Sequence, residues 1–187
     1  LRLTLTCLLV LAAAPALADP YPRPPSAERI DGVVMRVVDG DGLVVRRADG
    51  REVEIRLQGI DAPEITQSCE TTAHAPYPCG QRAAERLAAL APPGAAIRCV
   101  DPADDPVDLY GRHLGFCSVG PLDLNLTLLE EGHAIVFRRF VVEHPTLGRR
   151  PHAEAFLAAE ARARSGRRGL WQGLFTPPWD YRAARRR

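Results

Sequence analysis

The chain of 187 residues, with 46% apolar and 25% charged side chains, has the size of one domain and carries no internal repeat. Beyond one apolar run at its start there is no second, which excludes a bundle of membrane-spanning helices within this sequence. The formal net charge of +1 hides an uneven layout: residues 138–187 hold twelve arginines against four acids, and residues 19–137 hold eleven against nineteen. All the basic side chains counted there are Arg, since the chain has no Lys. The acidic part can bind a cation and the basic part can attract a polyanion. The final Arg185-Arg186-Arg187 reads as a frayed, solvated tail.

Residues 1–18 read as a signal peptide. Arg2 supplies the positive start, Leu5 to Leu11 is apolar apart from Thr6, and Ala16-Leu17-Ala18 is a small-x-small cleavage site. The run is too short for a permanent membrane helix, and Cys7 leaves with it. Leu1 reads as a non-standard start, because Met35 is the only Met. The expected location is therefore secreted or periplasmic, with no membrane attachment after cleavage. Residues 19–30 form an extended lead-in, Pro-rich from Asp19 to Ser26.

Residues 31–172 are the expected domain, and 173–187 a tail that is basic at its end. Val33–Val38 is a β-rich run that ends in the turn Asp39-Gly40-Asp41-Gly42. Leu43–Arg47 is a second strand, Asp49-Gly50 a tight hairpin, and Glu52–Leu57 an alternating third strand. A long loop with Pro63, Pro76 and Pro78 follows. Gly80–Ala91 is a helix that Pro92-Pro93-Gly94 ends. Strands at 95–100 and 112–119 are joined by an acidic loop. Asp123 caps a helix over Leu124–Glu131, and Gly132 stops it. A short strand fits His133–Phe137 and a helix His152–Ser165, while Trp171, Phe175 and Trp179 pack back on the body. This pattern implies an α+β, mainly β, Greek-key barrel with helices at one side.

Once the signal peptide is gone, Cys69, Cys79, Cys99 and Cys117 remain. An even count in an exported chain implies two disulfides, and three pairings are open. Cys99 and Cys117 lie in two predicted strands and suit a cross-strand bridge. Cys69 and Cys79 bracket the Pro-rich loop and would staple it. A zinc site lacks its usual CxxC pair.

The chemistry lies in three segments. Asp41 follows the first strand, and Asp61 and Glu64 follow the third, so a curled meander can bring the three acids to one end. Such carboxylates repel one another, and a Ca²⁺ or Mg²⁺ ion relieves the repulsion. Arg56 and Arg112 can each hold two phosphate oxygens and support the charge that builds in phosphodiester hydrolysis. Glu64 can act as general base on water. Each piece alone is ordinary: Asp-Gly-Asp-Gly is a turn for conformational reasons, and a lone Arg among twenty-four carries no information.

Together the segments resemble the staphylococcal nuclease (thermonuclease) family from about Asp31 to Trp171. The resemblance rests on Asp39-Gly40-Asp41, Arg56-Leu57 to Asp61-Ala62-Pro63-Glu64, Asp108-Leu109-Tyr110-Gly111-Arg112, Asn125 to Gly132, and Leu170-Trp171. It implies a five-stranded OB-fold barrel with three packed helices and a Ca²⁺-dependent nuclease acting on DNA and RNA, leaving a 3′-phosphate and a free 5′-hydroxyl. By position, Asp41, Asp61 and the carbonyl of Ala62 would hold calcium, and Arg56 and Arg112 the scissile phosphate. Glu64 would activate water, and Tyr110 would lie beside the nucleotide. Arg138 stands where aromatic residues often flank the nucleotide and is the further candidate substrate contact. Gly42 and Ala62 replace frequent Thr residues, Leu109 replaces a common Lys, and the Glu64–Gly80 loop is longer. The expected form is a monomer with no stable protein partner. The alternative is a non-catalytic OB-fold module that binds nucleic acid through a basic groove.

Overall fold

The computed structural model describes residues 29–100, 107–141 and 151–185. The expected signal peptide, the lead-in up to residue 28 and much of the acidic loop lie outside them. The elements in chain order begin with strands β1 (Arg29–Val37), β2 (Gly42–Arg47), β3 (Glu52–Leu57), β4 (Ile60–Asp61), β5 (Cys69–Thr71) and β6 (Pro76–Tyr77). Helix α1 (Cys79–Leu90) is followed by β7 (Ala96–Val100), β8 (His113–Val119) and β9 (Leu122–Asp123). The remainder comprises α2 (Leu124–Glu130), β10 (Ile135–Val136), α3 (Arg138–Val141), α4 (Pro151–Ser165), a 3₁₀ turn at Gly169–Gln172, β11 (Gly173–Leu174) and α5 (Pro178–Arg185).

The barrel runs in the order β3-β2-β1-β7-β8 and closes through a parallel β3–β8 pairing that sets Arg56 opposite Leu114. Alternation in β3 sends Ile55 and Leu57 into the core, both fully buried, and so turns Arg56 to the other face. A bulge between Val34 and Arg36 bends β1 so that the strand can pair with β2 on one side and β7 on the other. The three helices expected from the sequence, α1, α2 and α4, pack on the barrel with Ala83, Leu87, Leu124, Leu128, Phe156 and Ala159. Asp123 caps α2 as its sequence predicts, accepting the Leu126 N–H at 2.8 Å.

Both disulfides join the expected partners. Cys99–Cys117 links directly opposed residues of β7 and β8, and Cys69–Cys79 clamps β5 to the start of α1. The chain departs from the sequence reading in the loop and the tail. The Pro-rich loop contains β4, which pairs with β10, and also β5 and β6, which form a small sheet with β11. The strand read over His133–Phe137 shrinks to β10. The segment after residue 172 adds β11 and α5 rather than an irregular end. Its aromatic residues do pack back: Trp171, Phe175 and Trp179 lie on a second cluster of Cys69, Tyr77, Cys79, Ile135 and Leu170. No described helix is long and apolar enough to cross a membrane.

Candidate active site

The turn after β1 builds the first part of the site. Asp39 accepts the Asp41 N–H through Oδ1 at 3.1 Å, an Asx turn that aims the Asp41 side chain inward. Gly40 is required by space: a Cβ there would lie 2.6 Å from the Ala62 Cβ and 2.7 Å from the Ala83 Cβ. The close approach lets Ala62 donate its N–H to Asp41 Oδ2 at 2.8 Å. Arg56 then bridges two acids, with Nη1 on Asp41 Oδ1 at 2.8 Å and Nη2 on Asp61 Oδ1 at 2.7 Å.

Asp41 is 2% exposed and Asp61 fully buried. Burial pushes the Asp41 carboxyl up to about 7 against the pull of Arg56, while the like charges of Asp39 and Asp61 add to the rise and the Ala62 N–H opposes it. Burial also works against the charge on Arg56, but Asp41 and Asp61 outweigh it and raise the guanidinium pKa. Glu64 lies three residues beyond Asp61 on a loop that the start of α1 approaches closely. A Cβ at Gly80 would lie 1.7 Å from the Glu64 carbonyl oxygen, so only Gly allows the helix start to sit there.

A third arginine enters from the end of the chain. Arg182 on α5 donates Nη1 to Glu64 Oε1 at 2.8 Å and Nη2 to Asp61 Oδ2 at 2.9 Å. Both its terminal nitrogens also reach Asp61 Oδ1 at 3.1 Å. Burial opposes its charge, yet the hydrogen bonds to Asp61 and Glu64 raise its pKa. The signal for α5 is present in the sequence, as Pro at the first helical position and Asp180 in the first turn. Nothing local to Arg182 reveals a partner at position 61.

The turn between β7 and β8 supplies Arg112. Asp108 accepts Arg112 Nε at 2.9 Å and Nη2 at 2.7 Å, and its Oδ1 accepts the N–H groups of Tyr110 and Arg112. Burial pushes the Asp108 carboxyl up, but these bonds outweigh it and hold it below its ordinary value. Tyr110 is 71% exposed, with the Arg112 guanidinium 5.4 Å from its ring centre.

Arg56, Glu64, Tyr110, Arg112 and Arg182 line one groove of about 530 Å³, with Phe137 and Leu109 among its other walls. Asp41 and Asp61 lie buried beneath it. Arg138 is not among the lining residues; its Nη2 bonds Glu160 Oε2 at 2.6 Å, and Glu160 in turn accepts the Val136 N–H. The neighbouring Phe137 faces the groove instead.

Among the described residues no three His, Cys, Asp or Glu side chains are gathered into a ready metal cage. Arg56 links Asp41 to Asp61, and Arg182 links Asp61 to Glu64. The donor chemistry nonetheless fits a hard cation: two buried carboxylates, a partly exposed third and a backbone carbonyl are all oxygen ligands. Two guanidiniums already stand at these oxygens, which marks the spot as one that needs positive charge.

The closed barrel with a charged groove beside β3 defines an OB-fold protein. The chain belongs to the staphylococcal nuclease family: the family described as staphylococcal nuclease homologue matches residues 54–173. It is 30% identical over 173 residues to endonuclease YhcR of Bacillus subtilis (strain 168), a match covering 89% of this chain and 14% of that protein. It is 32% identical over 186 residues to protein ParB of Escherichia coli, covering 92% of this chain and 90% of ParB. With the thermonuclease of Staphylococcus intermedius it shares 31% identity over 102 residues, 54% of this chain and 56% of that protein.

Proposed function

We propose that the chain is an exported, calcium-dependent nuclease that hydrolyses phosphodiester bonds of DNA and RNA and leaves 3′-phosphate products. One observation carries the reading: Arg56 joins Asp41 to Asp61 directly under the groove that Glu64 and Arg112 line. Export is supported by the two disulfides, which persist in oxidising compartments.

Asp41, Asp61 and the Ala62 carbonyl would hold the ion. When bound, a divalent cation supplies a positive centre that draws charge from the phosphate oxygens. Arg56 and Arg112 hold the non-bridging oxygens and gain strength as charge builds on them. Glu64 takes a proton from the attacking water, whose oxygen forms the new bond to phosphorus. The bond to the 5′-oxygen breaks, and that oxygen leaves as a hydroxyl after taking up a proton from solvent. Tyr110 offers a face for a base to stack on.

Plasmid cleavage across a panel of metals tests the proposal. Calcium should support cleavage and chelator should stop it. Glu64→Ala and Arg112→Ala should each lower kcat by about 10²-fold or more. Intact plasmid with calcium across a wide pH range would overturn the enzymatic reading in favour of a binding module.

A further inference from the structure

We infer that Arg182 is a tethered cation of the acid pocket, which competes with a divalent ion for Asp61, holds Glu64 while it is there, and so sets the metal concentration at which the pocket loads. The inference rests on the proposed reading of Asp41, Asp61 and Ala62 as metal ligands.

An ionised carboxylate offers about four acceptor directions. Asp61 Oδ1 accepts Arg56 Nη2 at 2.7 Å and both terminal nitrogens of Arg182 at 3.1 Å, while Oδ2 accepts Arg182 Nη2 at 2.9 Å. Three of these contacts crowd Oδ1 and one lies on Oδ2, so a metal bond at Oδ1 must displace at least one of them, and a metal bond at Oδ2 sets the ion against the Arg182 guanidinium, which must then withdraw. Arg56 is held by its strand and by Asp41 as well, with its side chain 15% exposed. Arg182 is 29% exposed and already borders the groove, so it is the group that can rotate away.

The backbone that carries Arg182 is fixed independently. Gln67, 1% exposed, donates Nε2 to the Thr176 carbonyl at 2.7 Å. Strand β11 pairs with β5, which the Cys69–Cys79 bridge clamps. Trp179 stacks on Phe137 at 5.9 Å, and the Tyr181 hydroxyl donates to the Thr66 carbonyl at 3.3 Å. Helix α5 is therefore a platform, and the exchange needs only side-chain rotation. A displaced Arg182 remains at the groove beside Arg56 and Arg112, available to the phosphodiester. Without metal, its charge adds to that of Arg56, which the buried Asp41 and Asp61 would otherwise have to share.

Calorimetric titration of Ca²⁺ into the full chain tests this, together with thermal melts in chelator and in Ca²⁺. The proteins compared are wild type, Arg182→Gln, Arg182→Lys and Asp61→Asn. Arg182→Gln should bind Ca²⁺ at least about tenfold tighter than wild type. It should also melt lower in chelator and gain more from Ca²⁺. Arg182→Lys, which keeps the charge but loses the planar fork, should fall between the two. Should Arg182→Gln not fold, Arg182→Lys carries the test, and Ca²⁺ affinity equal to wild type overturns the inference. Equal or weaker binding by a folded Arg182→Gln, with Asp61→Asn abolishing binding, overturns the competition and leaves the metal site standing. Ca²⁺ binding that survives unchanged in Asp61→Asn, or is absent from all four proteins, overturns the metal-ligand reading and the inference with it.

Discussion

Asn125 shows how much one side chain can hold. Fully buried, it donates Nδ2 to the Gln58 carbonyl at 2.9 Å and to the Gly115 carbonyl at 3.2 Å, and accepts the Cys117 N–H at 3.0 Å. It thus fastens α2 to β8 and to the chain just past β3, beside Arg56. Asn125→Ala should cost about 3 kcal/mol in urea unfolding, because the Cys117 N–H and the Gln58 carbonyl lose this buried partner, while the Gly115 carbonyl keeps the Gln58 N–H. His133 behaves differently. Burial lowers its pKa below the ordinary 6.5, with Glu131 opposing and Arg86 and Arg82 adding to the fall. The unfolded chain therefore takes up this proton first as pH drops. Stability contributed by neutral His133 is full above 6.5 and lost progressively below it, down to the folded pKa. The melting temperature should fall between pH 7 and pH 5 by more in wild type than in His133→Gln. At this scale the candidate acids could be singled out by their place at the ends of predicted strands, whereas Arg56, one of twenty-four arginines, took its meaning from the family resemblance. Arg182 was not legible, since its meaning depends on a partner 121 positions away.

Among the elements, those with a long periodic signal were legible and the short ones were not. Strands β1 to β3 and helices α1 and α4 follow from alternation or a 3.6-residue face, and α2 from its Asp123 cap and the Gly132 stop. Strands β4, β10 and β11 have two residues each, too few for any period, and exist only because distant partners pair with them. The β5–β6–β11 sheet is consequential despite its size, because it seats α5. Replacing both Cys69 and Cys79 with Ser should lower stability by about 2 kcal/mol. It should also expose the α5 segment to limited proteolysis before the barrel is cut. The turn at Gly40 is tighter still. Gly40→Ala should destabilise by about 1–3 kcal/mol, as the new methyl must push Ala62 or Ala83 aside. Calcium affinity should weaken in the same variant, since the shift moves Asp41 away from Ala62.

On the scale of the whole molecule, charge segregation predicts a salt-sensitive encounter with nucleic acid. Anisotropy titration of single-stranded DNA in chelator should show affinity falling linearly on a log–log plot against salt. Arg112→Ala should make that slope shallower by about one counter-ion, and substitution of Arg36 on the far strand should leave it unchanged. The fold class was legible because the element order carried it, whereas the groove's full lining was not, because it draws on β3, the β8 turn, residue 137 and α5 at once. The barrel seam has a kinetic corollary. Ile55 waits for His113 and Thr71 for Gly173 before either pairing can form, and such distant pairings are reached slowly. A growing polypeptide that has not yet released β11 cannot complete the architecture, so the nascent chain stays threadable until Gly173 has emerged.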